Sequence, residues 1–222
     1  MSKKIVVVDY HKGNLSSVAR SINDAGGNAV ISDDPATIAA AGGVIVPGVG
    51  SFEDAMIYLR ESGEAEAILG SAERGVPFLG ICLGLHLLFE RGDERTLQHA
   101  PEDIWAQGLG ILPGSVRRLE SPRLKVPHVG WDQIHLTQHG RECPLLQGTA
   151  EGANVYFTHS YALAEDVGPD LVTTRTHYTR SFASGVWHEN VFGVQFHPEK
   201  SSRTGLNILR NYVAIVERGG VA

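Results

Sequence analysis

The stretch PFLGICLGLHLLFE, Pro77 to Glu90, decides how this chain is read. A short apolar run, Phe78–Ile81, has the length and bounds of a buried strand, and the apolar-periodic run Leu83–Glu90 predicts a helix. Cys82 falls at the junction, with Gly80 two residues before it and Gly84 two residues after. Glycines at those places remove the Cβ atoms that would collide in a tight strand-to-helix turn. That is how a nucleophile elbow is built, here with Cys in place of Ser. First-turn backbone N–H groups there stabilise a thiolate, and the N–H of Leu83 is placed to donate to an oxyanion. Taken alone, GxCxG has a plainer reading that is at least as good. Cys82 would be a small buried filler, with the glycines permitting close helix–sheet packing.

Upstream of this stretch the pattern alternates. Ile5–Val8, Ala29–Ile31 and Val44–Val46 read as strands. Asn14–Ala25, the run from Asp34-Pro35 to Gly42-Gly43, Phe52–Arg60 and Gly63–Arg74 read as helices. Strand and helix in turn, with short loops, predict an α/β fold built on an open doubly wound, mainly parallel sheet. Downstream the texture changes. Ile111–Leu119, Val126–His135, Asn154–Ala162, Leu171–Thr176, Phe182–Trp187 and Val191–Phe196 carry aromatics between turn residues, and predict consecutive, mostly antiparallel strands as an added section. Arg91–Ile104 reads as a charged surface loop, and Gly205–Val216 as a closing helix. With no internal repeat and no Pro- or Ser-rich linker, a single domain over residues 1–222 is expected.

Composition narrows the classes of function. The 222 residues carry 19 Lys and Arg against 25 Asp and Glu, a formal net charge of −6 that argues against a general nucleic-acid binder. No apolar run is long enough to cross a bilayer, and the N-terminus lacks the long apolar region of a signal peptide. The two cysteines, Cys82 and Cys143, make a poor disulfide framework, so a reducing, cytoplasmic location is the simplest reading. The ten histidines are scattered without a zinc-binding spacing, and neither a metal nor a cofactor is expected.

Two further segments change the reading of Cys82. In VFGVQFHPEKS, Val191–Ser201, His197 and Glu199 stand two apart at the end of a strand-like run. In extended chain, positions i and i+2 project to one face, and Pro198 favours an extended His197. A thiol needs a base, and the base needs an orienting acceptor on its far nitrogen; His197 and Glu199 supply both. Each segment alone has an ordinary structural explanation, but their joint occurrence favours chemistry. Pro47-Gly48-Val49-Gly50 closes the third strand, where open α/β sheets bind ligands, and free N–H groups in such a turn form an anion-binding nest.

In this order the three elements resemble the class I (triad) glutamine amidotransferases, and the resemblance spans nearly the whole chain. DYHKGNLSSV, PGVGSF, VPHVGW, YFTHSY and FGVQFHPEKS narrow it to the family of glutaminase subunits of imidazole glycerol phosphate synthase. The resemblance implies that Cys82 attacks the side-chain amide of L-glutamine, that His197 moves the proton, and that Glu199 supports His197. It implies an oxyanion site at Val49, Gly50 and Leu83, and glutamine binding by Gly50, His86, Glu94, His159, Ser160 and Tyr161. It also implies a (β/α)8-barrel cyclase partner forming a heterodimer with this chain, with Asn14, Trp131 and Lys200 at or near the interface. Ammonia would pass to that partner during histidine biosynthesis. Neither nucleic acid nor membrane enters. Two places depart from the family pattern. His86 stands where a substrate-holding glutamine is usual, and His11-Lys12 where a glycine is common. Alternatives are a paralogous glutaminase for surface-sugar amination or pyridoxal phosphate synthesis, a non-catalytic regulator on the same fold, or a redox sensor.

Overall fold

The computed structural model describes residues 2–11, 13–96 and 105–221. The chain opens with β1 (Lys4–Val8), whose four apolar residues are fully buried. Helix α1 (Leu15–Asp24) starts at Asn14, whose side chain accepts a hydrogen bond from the Ser17 N–H at 3.3 Å. Strand β2 (Asn28–Ser32) leads to α2 (Pro35–Ala39), where Asp34 caps the N–H groups of Ala36 and Thr37 and proline takes the first turn. Strand β3 (Gly43–Gly48), helices α3 (Phe52–Glu61) and α4 (Glu64–Glu73), strand β4 (Phe78–Cys82) and helix α5 (Leu83–Leu87) follow. The rest of the chain is β5 (Phe89–Gly92), β6 (Ala106–Gln107), β7 (Leu112–Arg118), β8 (His128–Leu136), α6 (Gln138–Glu142), β9 (Ala153–His159), β10 (Tyr161–Leu163), β11 (Val172–His177), β12 (Ser181–His188), β13 (Val191–Val194) and α7 (Ser202–Arg218).

Nine strands form one sheet in the order β2-β1-β3-β4-β13-β12-β11-β8-β9. The run from β2 to β13 is parallel, and β12, β11, β8 and β9 add an antiparallel wing. The α/β class, the doubly wound parallel half and the added antiparallel section are all present. Alternate residues of the buried strands feed two cores. Val6 and Val8 of β1 join Ile38 of α2, Phe52 and Leu59 of α3 and Ile68 of α4, whereas Ile5 and Val7 join Ile22 of α1 and Ile208 and Tyr212 of α7. A four-stranded sheet, β10-β7-β5-β6, packs Phe89, Leu112, Val116 and Leu163 into the first of these cores.

Four expectations are corrected. The predicted helix Leu83–Glu90 stops at Leu87, and Phe89–Gly92 is a strand beside β7. The backbone there is claimed by tertiary partners: Leu112 N–H donates to Leu88 O, and Gly108 N–H donates to Glu90 O. For the same reason Arg91 and Gly92 are strand, not loop, while residues 97–104 of that predicted loop lie outside the described residues. The single strand expected over Asn154–Ala162 breaks at Ser160, because β9 pairs in the large sheet and β10 in the small one. Val191–Val194 is not wholly antiparallel in its setting: it pairs antiparallel with β12 but parallel with β4.

Both glycines of the GxCxG stretch are required by space. A Cβ on Gly84 would fall 1.7 Å from the Val46 carbonyl oxygen, and one on Gly80 would fall 2.5 Å from the Gly84 oxygen. These are backbone atoms of β3 and α5 and cannot step aside. Gly84→Ala is therefore expected to cost about 3 kcal/mol or more in urea denaturation. Gly70→Ala on α4 meets only the flexible Arg74 guanidinium at 3.3 Å, and should leave stability unchanged or raise it by up to about 1 kcal/mol.

Candidate active site

Three parallel strands bring their carboxyl ends abreast. Gly48 of β3 is in register with Cys82 of β4, and Val194 of β13 is in register with Ile81, so Gln195 comes level with Cys82. His197 lies two residues further on the same extended segment, where its N–H donates to the Tyr156 carbonyl of β9 at 2.9 Å. Ser201 fixes the segment from behind: its hydroxyl donates to His197 O at 2.6 Å and accepts from the Tyr156 N–H at 3.0 Å.

Cys82 is buried and occupies the N-cap position of α5 at φ 54°, ψ −105°. A left-handed φ on a residue with a Cβ is strained, and here the flanking strand and helix enforce it. The thiol points at the Thr158 carbonyl, 3.8 Å away. His197 and Glu199 form the expected pair, with Nδ1 2.8 Å from Oε1 and both side chains almost fully buried. A carboxylate only accepts, so His197 donates from Nδ1 and turns Nε2 to the other side. Nε2 is buried and makes no hydrogen bond among the described residues, yet Cys82 is near enough to act on the ring's charge. Burial alone would pull His197 down. Interaction with Cys82 and Glu199 outweighs burial and raises the imidazole to about 10.

A cavity of about 250 Å³ opens beside the sulfur, lined by Val49, Gly50, Cys82, Leu83 and His86 on one side. Glu94, His159, Ser160 and Tyr161 line the other, with Pro127 and Thr158. All the residues expected for the oxyanion site and for glutamine thus border one cavity with Cys82. The Pro47–Gly50 turn is held by Tyr10, whose hydroxyl donates to Pro47 O at 2.7 Å; a Cβ on Gly48 would overlap that hydroxyl. Gly50 sits at φ 110°, a conformation that glycine takes without strain. Glu94 accepts from the Phe52 N–H at 2.9 Å, and burial raises its carboxyl.

Two histidines around the cavity are held neutral. His86 is pulled down to about 4 by burial, against the hydrogen bond it makes with Gln195. His159 is pulled down to about 3, again chiefly by burial. His159 Nδ1 lies 2.7 Å from Tyr161 O, and a carbonyl only accepts, so Nδ1 carries the hydrogen and Nε2 accepts from His128 Nδ1 at 3.2 Å. His128 is itself stacked on Tyr178, ring centres 4.0 Å apart.

The three expected interface residues do not border the cavity. Trp131 is 54% exposed on β8, and Val129, two positions earlier on the same face, is 56% exposed. Lys200 Nζ lies 5.9 Å from the Tyr156 ring, which also meets the Trp131 indole at 6.1 Å. Asn14 caps α1 and is exposed. His11 adopts φ 60°, the region a glycine enters freely, and its ring packs edge-on to Tyr58; Lys12 lies outside the described residues. Sequence reasoning missed Gln195, Thr158, Tyr156 and His128. The rule that found His197 and Glu199, alternation in an extended run, would also have found Gln195.

Among the described residues no cluster of His, Cys, Asp or Glu is arranged to hold a metal ion, and no helix is long and apolar enough to cross a membrane. A cysteine on an elbow, an acid-backed histidine and a polar cavity, all at the carboxyl ends of a parallel sheet, define a thiol-nucleophile centre. The family model described as glutamine amidotransferase class-I matches residues 6–216. The protein from Moorella thermoacetica known as imidazole glycerol phosphate synthase subunit HisH is 44% identical, over 99% of this chain and 99% of its own. Its namesake from Syntrophotalea carbinolica is 44% identical over 94% of this chain and 98% of its own. Among solved structures, PurLQS from Thermotoga maritima matches with a TM-score of 0.73 over 96% of this chain and 99% of that one, at 19% identity. The glutaminase domain of Trypanosoma brucei CTPS matches at 0.64 over 96% and 92%, at 14% identity. Those two likenesses speak for the fold. The chain belongs to the class-I glutamine amidotransferase family and, within it, to the HisH subunits of imidazole glycerol phosphate synthase.

The neutral histidines make stability pH-dependent. In the unfolded chain they bind protons near 6.5, but in the fold His86 does so only at about 4 and His159 at about 3. Unfolding therefore takes up protons once pH falls below about 6.5, and stability falls as acid is added. His197 has the opposite sign: its contribution is complete below 6.5 and is lost as pH rises through about 10. Urea denaturation at pH 7 and pH 5 should show stability falling by roughly 1 kcal/mol per pH unit for each neutral histidine. His86→Gln should flatten that slope.

Proposed function

We propose that this chain is the glutaminase subunit of an imidazole glycerol phosphate synthase, hydrolysing L-glutamine and handing ammonia to a cyclase partner. The observation that carries the reading is the line from Glu199 through His197 toward Cys82, ending at a cavity of about 250 Å³. His197, raised by its two neighbours, takes the thiol proton. The thiolate attacks the side-chain amide carbon of glutamine, and the oxygen charge is met by N–H groups of Leu83 and of the Val49–Gly50 turn. His197 then protonates the leaving nitrogen, ammonia departs, and a thioester on Cys82 remains. Water, deprotonated by His197, hydrolyses it to glutamate. Glu199 keeps Nδ1 donating throughout, so that Nε2 alone faces the reaction.

Glu94 suits the α-ammonium group of glutamine, and the backbone around Ser160 and Tyr161 suits its α-carboxylate. The break at Ser160 between β9 and β10 supports this, since it places that backbone at the cavity wall. The partner we infer is a (β/α)8-barrel cyclase docking on the face of Asn14, Trp131 and Lys200; exposed Trp131 and Val129 support it. Both cysteines are free, which suits a reducing cytoplasm. The names of the full-length relatives favour the histidine-pathway acceptor over a paralogue's.

Glutamate release from glutamine is the test, by the chain alone and then with its barrel cyclase and acceptor substrate. We expect low activity alone and a large rise in the complex, the glycines about Val49 giving the oxyanion turn room to rearrange. Cys82→Ala should abolish the complex's glutaminase while leaving ammonia-dependent cyclisation intact. Glu199→Gln should lower kcat by about 10²-fold or more with little change in KM. Cys82-dependent activity indifferent to this cyclase would sink the pathway assignment.

A further inference from the structure

Gln195 stands level with Cys82 and is fully buried, but no step above uses it. Its carboxamide spans two groups. Oε1 lies 2.8 Å from His86 Nε2, and Nε2 lies 3.8 Å from Cys82 Sγ. An amide oxygen only accepts, so His86 carries its hydrogen on Nε2 and donates it to Gln195. That leaves the amide N–H groups on the opposite side, one of them aimed at the sulfur. The thiol's own hydrogen is directed elsewhere, to Thr158 O, so a sulfur lone pair is free to accept.

A carboxamide is nearly symmetrical in shape. Turned by half a rotation it would fill the same space, with its oxygen facing Sγ. Facing a thiolate, that oxygen would repel the charge that the mechanism must create, whereas an N–H stabilises it. What distinguishes the two orientations is the atom on the far side. A His86 N–H donates to an amide oxygen and has nothing to donate to in an NH₂. Gln195 is fully buried, so its amide has no solvent partner to turn to.

We propose that Gln195 donates an N–H to the Cys82 thiolate, and that His86 is a positioning residue whose Nε2 hydrogen fixes the Gln195 amide in that direction. His86 thereby acts on the nucleophile through Gln195 while also lining the cavity. The inference rests on Cys82 being the nucleophile and deepens that reading. The titratable groups that face the sulfur are His197 beyond β13, Tyr10 beyond β1, and His86 on α5, with His159 and Glu94 across the cavity. Gln195 differs from all of these in bringing to the sulfur a side-chain donor that does not titrate.

Alkylation of Cys82 by iodoacetamide, followed against pH by peptide mass on the full chain, reads the thiolate without glutamine or partner. Gln195→Leu should move the midpoint of the profile up by about one unit, and Gln195→Glu by more, because a carboxylate would face the sulfur. His86→Leu should move it in the same direction, and the double variant His86→Leu, Gln195→Leu no further than Gln195→Leu alone. Folded Gln195 variants with an unmoved profile would overturn the donor. A double variant whose shift is the sum of the singles would overturn the positioning role. Should the variants not fold, ¹⁵N NMR of the unaltered chain decides, since hydrogen on His86 Nδ1 instead of Nε2 would defeat the arrangement. Absence of glutaminase activity with a shifted profile would count against the proposed function and not against this contact.

Discussion

Everything at the catalytic centre depends on the parallel pairing of β13 with β4. The two strands lie more than a hundred residues apart in sequence, and Val194 is set beside Ile81. That register carries the following segment past the sulfur, so that Gln195 and His197 reach Cys82 from one side while β3 delivers the glycine turn from the other. A slip of one residue would turn His197 and Gln195 to the opposite face and leave the thiol without base or donor. Register is secured by burial, because Val191, Phe192 and Val194 interlock with cores on both faces of the sheet. The antiparallel wing has the complementary task. His197 N–H is anchored on Tyr156 of β9, so the last parallel strand is clamped between two directions of pairing.

The elbow itself is a place where packing and chemistry ask for the same residues. Gly80 and Gly84 let α5 approach β3 within backbone contact distance, which is the plain structural explanation of GxCxG. The same approach forces Cys82 to φ 54° and brings its side chain out over the end of the sheet. The filler and nucleophile readings of the pentapeptide were therefore never exclusive. Close packing is the cause, and the exposed edge of a buried cysteine is its consequence.

Where the sequence was legible, a local rule governed the outcome. Apolar β-branched runs became parallel strands, caps at Asn14 and Asp34 started helices, and i, i+2 alternation joined His197 to Glu199. Where it misled, a partner distant in sequence decided. Phe89 and Glu90 continue the helical pattern of Leu83–Leu87 and Arg91 and Gly92 read as loop, but all four are taken into the small sheet by Leu112–Arg118, and Asn154–Ala162 reads as one strand although two sheets divide it. The site was legible because its residues cluster in three short segments. Tyr156, lying between Trp131 and Lys200, was not, since the β8–β9 register sets it beside Trp131 while the separate bond from the His197 N–H to its carbonyl brings up the segment that carries Lys200.

Three histidines with one intrinsic affinity for protons surround the cysteine, and the protein must make only one of them its base. Burial pushes all three down, and His86 and His159 stay there because their partners are neutral: an amide oxygen for the first, a backbone carbonyl and another imidazole for the second. His197 alone has a carboxylate on one nitrogen and the thiol near the other, and the gain from those exceeds its desolvation. Burial carries His159 down to about 3, and the carboxylate and thiol beside His197 reverse the same push and carry it up to about 10. A thiol proton released in this cavity has one residence, on His197, from which it can reach a departing amine.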